Sequence, residues 1–369
     1  MFSLELSEEQ RMILETARSF AKEQIRPRAH ECDEHGHIPA DLLRAGWELG
    51  LVSAVAPESC GGAGMERQAV TGAMVAEELA HGDLAVALAL LTPALFAYPI
   101  LTAGTDEQKQ KYLACLAGTE PAAVTAAAME PTMNFDLSAL ATKAEKKGAG
   151  WVLTGQKCLV PLASAAERFL VYAAKEGKPG YENLGASIVE KDAPGLKVGE
   201  RERWMGLAAL ETAGLTLAGV EVGPEALLGG EKGCDCGRLL SYSRVALAAM
   251  AIGVARAANE YARDYAKERV AFGEPIAHKQ AIAFMIADDF MEIEAARLLT
   301  WEAAWRLDAG QEAFEAAYLA KLYTDQMAIK ATDDAVQTLG GHGYIREHPV
   351  ELFLRNARGF TTFEGIATV

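Results

Sequence analysis

The stretch SRVALAAMAIGVARAANEYARDYAKERVAF, residues 243–272, repeats apolar side chains every three or four positions for about eight turns of helix. No proline interrupts it. Two more stretches of the same kind follow, HKQAIAFMIADDFMEIEAARLLTWEAAWRLDA at 278–309 and EAFEAAYLAKLYTDQMAIKATDDAVQTL at 312–339. Helices this long bury their apolar stripes best against one another, so residues 231–369 are expected to form a C-terminal four-helix bundle. Working back from it, 121–230 changes character. GWVLTGQKCLV, RFLVYAA, GASIVE and AGLTLAGVEV are short β-type runs separated by Gly, Pro and Lys/Glu clusters. They predict an antiparallel, β-barrel-like middle domain. Residues 1–120 carry helical signals: a Ser7 cap followed by Glu9 and Gln10, a helix from Asp41, and another from about Glu66 to Leu79. The expected fold is mainly α with a central β domain.

Composition narrows the partners. The chain has 369 residues, 35 basic and 51 acidic, for a net charge of -16. Such a surface repels nucleic acid and anionic lipid, so any anionic ligand needs a locally basic pocket. The start, MFSLELSEEQ, shows no basic segment followed by an apolar run. The greasiest run, LAVALALLTPALFAYPI, is broken by Pro93 and Pro99, falls short of the ~18 unbroken apolar residues of a membrane span, and reads as a buried helix and its exit. Six scattered cysteines include only one close pair, Cys234 and Cys236, with no second pair to complete a metal site. Free thiols and a cytoplasmic location are expected.

Five motifs stand in order along this layout: GLVSAVAPESCGGAG at 50–64, EELAHGD at 77–83, ERVAFGEPIAHKQ at 268–280, QTLGGHGYIREHPVE at 337–351 with LRNAR after it, and FEG at 363–365. Together they resemble the acyl-CoA dehydrogenase family over essentially the whole chain. The resemblance implies α,β-dehydrogenation of an acyl-CoA thioester. A carboxylate takes the proton beside the carbonyl, and FAD accepts the β-hydrogen. It also implies electron-transfer flavoprotein or a similar acceptor, and a homo- or hetero-oligomer. Glu364 stands at the family's common base position, between apolar Phe363 and flexible Gly365. The helix that carries the base in other members has Ser241, Tyr242, Ser243 and Arg244 here, with no carboxylate. Arg244 matches an arginine beside the acyl-CoA site, though a salt bridge within the bundle explains it equally well.

In this family each FAD lies at a subunit interface. The contacts that reach over from a neighbour match here at Arg269, Phe272, Gln280, Gln337, Gly340 and Gly341. An arginine fork suits a diphosphate, and glycines allow close backbone approach. The contacts a chain makes to its own flavin depart from the pattern. EPTMNFD has Phe135 for a serine and follows Met129 for a threonine. LVPLA has Leu159, Pro161 and Leu162 for Trp, Thr and Asn. EGIAT has Ile366 and Thr368 for Thr and Gln, and the sequence reads only to Val369, short of the family's final helix. Each lost neutral hydrogen bond removes about 0.5–1.5 kcal/mol. Three readings stay open: a dehydrogenase with unusual flavin contacts, a flavin-poor partner subunit supplying contacts to another chain's FAD, and non-oxidative acyl-CoA chemistry on the same fold.

Overall fold

The computed structural model describes residues 5–369, so the first four residues of the MFSLELSEEQ start lie outside the described residues. The N-terminal part is helical: α1 Glu8–Phe20, α2 Ala29–His35, α3 Ala40–Glu48, α4 Ala69–Gly82, α5 Leu84–Ala103 and α6 Asp106–Tyr112. Ser7 caps α1 reciprocally with Gln10, and Thr105 caps α6 in the same way with Gln108, satisfying amides that a helix start leaves open. Asp83 closes α5 by accepting from the Val86 amide at 2.9 Å.

Helix α5 departs from the sequence reading. It runs unbroken through Pro93 and Pro99 and is buried from Leu84 to Ile100. A proline inside a helix forfeits a backbone bond, at roughly 3 kcal/mol. Here the segment is apolar on every side, and leaving the core would expose all of it. By length and composition α5 and the long helix Cys236–Glu268 resemble membrane spans, but both are core helices here.

Seven strands form the middle sheet: β1 Val124–Ala127, β2 Lys143–Lys147, β3 Gly150–Pro161, β4 Arg168–Lys175, β5 Leu184–Glu190, β6 Leu196–Arg201 and β7 Thr212–Val222. Their order is β1-β4-β2-β3-β7-β6, with β5 also on β4. The expected antiparallel sheet is mixed instead: β4 runs parallel to both β1 and β2. The β2–β3 hairpin and the return into β4 put two reversals between β2 and β4, which leaves them pointing the same way. The remaining pairs are antiparallel.

The last part returns to helix. It comprises α7 Cys236–Glu268, a two-stranded ribbon of β8 Val270–Ala271 and β9 Glu274–Pro275, then α8 Gln280–Asp308, α9 Phe314–Leu339, α10 Gly341–Tyr344 and α11 Val350–Phe360. Helices α7, α8, α9 and α11 pack together, and α7 also lies along α4. That crossing is close: a Cβ on Gly253 would stand 2.3 Å from the Glu77 carbonyl oxygen. Around it Glu77 and Glu78 bind Arg256 and Arg297, joining the two helical parts by buried and half-buried ion pairs.

Candidate active site

The segment after α11 turns back into the protein. Phe363 is buried and meets Phe360 edge to face, with ring centres 5.8 Å apart. Gly365 follows with φ +69, and a Cβ there would come within 2.7 Å of the Ala128 Cβ. Only glycine takes this left-handed turn without strain and fits the space. Its amide donates to Ser243 Oγ at 3.1 Å, tying the turn to α7.

These constraints fix Glu364, whose side chain is 21% exposed. Arg244 Nε donates to its Oε1 at 3.4 Å. The other carboxylate oxygen, Oε2, and Arg244 Nη1 are both buried with no hydrogen-bond partner. The Arg244 guanidinium sits over the rings of Phe314 and Tyr318, at 4.9 and 5.1 Å. The two residues singled out from sequence for catalysis and substrate binding therefore meet. Arg244 makes a salt bridge, and its partner is Glu364 in the segment after α11.

Two neighbours on α9 were not visible in the sequence. Lys321 pairs with Asp325 at 2.7 Å and reaches the Thr361 carbonyl at 3.4 Å. Burial, reinforced by the charge of Glu364, pushes the Asp325 carboxyl up to about 6 despite the lysine. Their i, i+4 spacing was the only available signal, and it is the pattern of any surface ion pair. Beside the Gly365 turn, Ser243, Leu95, Pro99 and Thr368 line a narrow cavity of about 30 Å³, room for a water or two.

The remaining predicted residues lie on the surface. Arg269, Phe272, Gln280, Gln337, Gly340 and Gly341 are all exposed, and Phe272 is 95% exposed. Arg269 opens onto a cleft of about 520 Å³ shared with Tyr261, Tyr265, His342 and His348. The two histidine rings stack at 5.2 Å, and each is held by a tyrosine hydroxyl at 2.8 Å. A Cβ on Gly340 or Gly341 would meet open space.

The residues that would face the chain's own flavin are already engaged. The Leu159 amide donates to Glu202 at 3.0 Å, and the Leu162 amide to the Glu211 carbonyl at 2.8 Å. Both leucines sit at positive φ, +54 and +51. Phe135 packs into the core beside Tyr172 and Cys234. Below them Lys157 and Glu130 form a buried pair at 2.9 Å. Burial brings the lysine down to about 8.

Three acyl-CoA dehydrogenase domain families match in sequence: the N-terminal domain over residues 7–120, the middle domain over 125–220 and the C-terminal domain over 236–369. A cyclohex-1-ene-1-carbonyl-CoA dehydrogenase from Syntrophus aciditrophicus is 38% identical over 96% of this chain and 86% of that protein. Butyryl-CoA dehydrogenase from Megasphaera elsdenii superimposes with a TM-score of 0.89 at 32% identity, covering 100% of this chain and 96% of that one. A chain from a structure of the electron transferring flavoprotein of Acidaminococcus fermentans gives 0.88 at 34% identity, with coverages of 100% and 96%. Matched from end to end in sequence and in fold, the chain belongs to the acyl-CoA dehydrogenase family.

Proposed function

We propose that this chain removes the proton next to the thioester carbonyl of an acyl-CoA, with Glu364 as the base, in an α,β-dehydrogenation. The observation that carries the reading is the state of its carboxylate. One oxygen is anchored on Arg244, and the other is buried and unpartnered. An unmet buried acceptor is costly, so its retention favours a ligand that completes it. A carbon acid is weak, and a base freed from bulk water and aimed at the proton is what its chemistry demands. Arg244 keeps the carboxylate oriented, and Phe363 and Phe360 exclude water from one side.

The residues expected to hold FAD divide into two sets that differ in their fit. The neighbour-facing set fits. The Arg269 side chain is exposed at its cleft, and Gly340 and Gly341 leave open room for a dinucleotide to approach. Arg269, Phe272, Gln280, Gln337, Gly340 and Gly341 would hold the pyrophosphate and adenosine of a flavin bound mainly by an adjoining subunit. When bound, FAD supplies the acceptor for the β-hydrogen, and an electron-transfer flavoprotein or similar acceptor takes the electrons onward. The own-flavin set does not fit. The amides of 159 and 162 are committed, and Phe135, where the family has a serine, packs against the core. No step is derived through a flavin held there.

That disagreement favours a second reading, in which the chain is the flavin-poor member of a mixed oligomer. Visible spectra of the chain purified alone and with a paralogous partner separate the two, read before and after anaerobic butyryl-CoA. The account expects little FAD on the chain alone and thioester-dependent bleaching in the assembly. One tightly bound FAD per isolated chain eliminates the mixed oligomer. Protein that takes up neither FAD nor thioester, alone or assembled, overturns the dehydrogenase reading.

A further inference from the structure

A cavity of about 270 Å³ lies between the start of α1, residues 49–55, α4 and α5. That is close to the lower end, roughly 300 Å³, of small-molecule sites. Ile13, Leu51, Val55 and Leu91 give it an apolar wall. Arg67 stands in this wall, between two aromatic rings. Its guanidinium lies 4.6 Å from the centre of Tyr98 and 4.1 Å from that of Tyr242. One nitrogen, Nη1, donates to Thr102 Oγ1 at 2.7 Å. The other two, Nε and Nη2, are shut from solvent and have no hydrogen-bond partner.

No acidic side chain among the described residues pairs with this cation. Asp308, the nearest by charge, spends its two oxygens on the amides of Ala69 and Val70, at 2.6 and 3.0 Å. Glu9 and Glu66, which also line the cavity, are exposed to solvent. Burial lowers the Arg67 guanidinium to about 10, which leaves it charged at neutral pH. A buried cation without a counter-ion is strongly unfavourable unless something supplies the missing charge. Nε and Nη2 are the edge of a guanidinium that accepts a carboxylate side-on, with two parallel hydrogen bonds.

We propose that this cavity binds an organic carboxylate carried on an apolar body, with Arg67 as its charge partner. Two sources share that chemistry. One is a separate small acid. The other is the far end of a carboxyl-terminated acyl group, an option that rests on the function proposed above. The two sites adjoin: Thr368 lines both this cavity and the small one at Gly365, and Tyr242, which stacks on Arg67, is followed on α7 by Ser243, which accepts from the Gly365 amide.

Calorimetric titration of the full chain tests the site with free adipate, neutral 1,6-hexanediol, adipoyl-CoA and hexanoyl-CoA. The titrations are run on the wild type, on Arg67→Met, and on Val55→Phe, which narrows the cavity and leaves the arginine. Losing one charge-assisted pair weakens binding about tenfold to hundredfold. That loss is expected in both variants for whichever carboxylate compound the wild type prefers over its neutral counterpart. A preference for free adipate over the diol assigns a separate acid and needs neither flavin nor thioester, so it survives failure of the dehydrogenase reading. A preference for adipoyl-CoA alone assigns the acyl terminus. If neither carboxylate compound binds better than its neutral counterpart, or if the preference persists in Val55→Phe and in any folded Arg67→Met protein, the proposal is overturned.

Discussion

Glu364 shows how a side chain is constrained by its surroundings. Gly365 bends the backbone and Arg244 holds one oxygen, while burial strips the other of partners. The motif FEG pointed to the residue, and the match of Ser241 to Arg244 to the family's helix pointed to the arginine, because both are short local patterns. Arg67, Lys321 and Asp325 carried no such pattern. Tyr98 and Tyr242 reach Arg67 from α5 and α7, and that meeting exists only after folding. Buried acids leave a titratable signature as well. Asp83 is fully buried at the start of α5, and desolvation raises its carboxyl to about 6. Its folded value exceeds its unfolded one, so the folded state holds the extra proton between about 4 and 6. Stability therefore falls as pH rises through that window. Asp83→Asn keeps an N-cap oxygen and cannot ionise. Urea denaturation at pH 4 and pH 6 is expected to show a smaller fall for the variant. An unchanged or steeper fall would exclude Asp83 as a source of the pH dependence.

Among elements, the long amphipathic helices were legible because their period is written in the sequence. Two features were not. Helix α5 passes through both prolines because its surroundings are apolar on every side, a tertiary condition that overrides a local breaker. Strand β2, KAEKK, buries only Ala144, so it lacks the alternation that marks a strand and is held by pairing with β3 and β4. Registers and strand directions depend on such pairings, which explains why a mixed sheet read as antiparallel. The α4–α7 crossing yields a sharper expectation. Alanine at Gly253 gains helix propensity, about 0.5–1 kcal/mol. It also forces a methyl to 2.3 Å from the Glu77 carbonyl, a clash with backbone that cannot swing away. Overpacking costs roughly 1–3 kcal/mol, so Gly253→Ala should lose stability on balance in urea melts. A gain would contradict the close crossing.

The whole molecule presents two unlike faces. The turn that carries Glu364 and Gly365 packs against α7 and against Ala128 beside the sheet. The residues aligned with flavin contacts, together with Phe284, Phe290 and Met291 on α8 and Tyr318 and Leu319 on α9, are exposed. Apolar side chains exposed together are a feature of interaction surfaces. The two sets of flavin contacts that the family resemblance implies differ in sequence in how well their motifs are kept. The contacts of Glu202 and Glu211 with the 159–162 turn needed the structure, since both come from elsewhere in the chain. Exchange of the α-protons of butyryl-CoA in deuterated water, catalysed by the FAD-supplied assembly, reads the action of Glu364 directly. The wild type should exchange them, and Glu364→Gln should be slower by about 10²–10⁴-fold. Equal rates for the two proteins, or no exchange by the wild type, would contradict the assignment of Glu364 as the base.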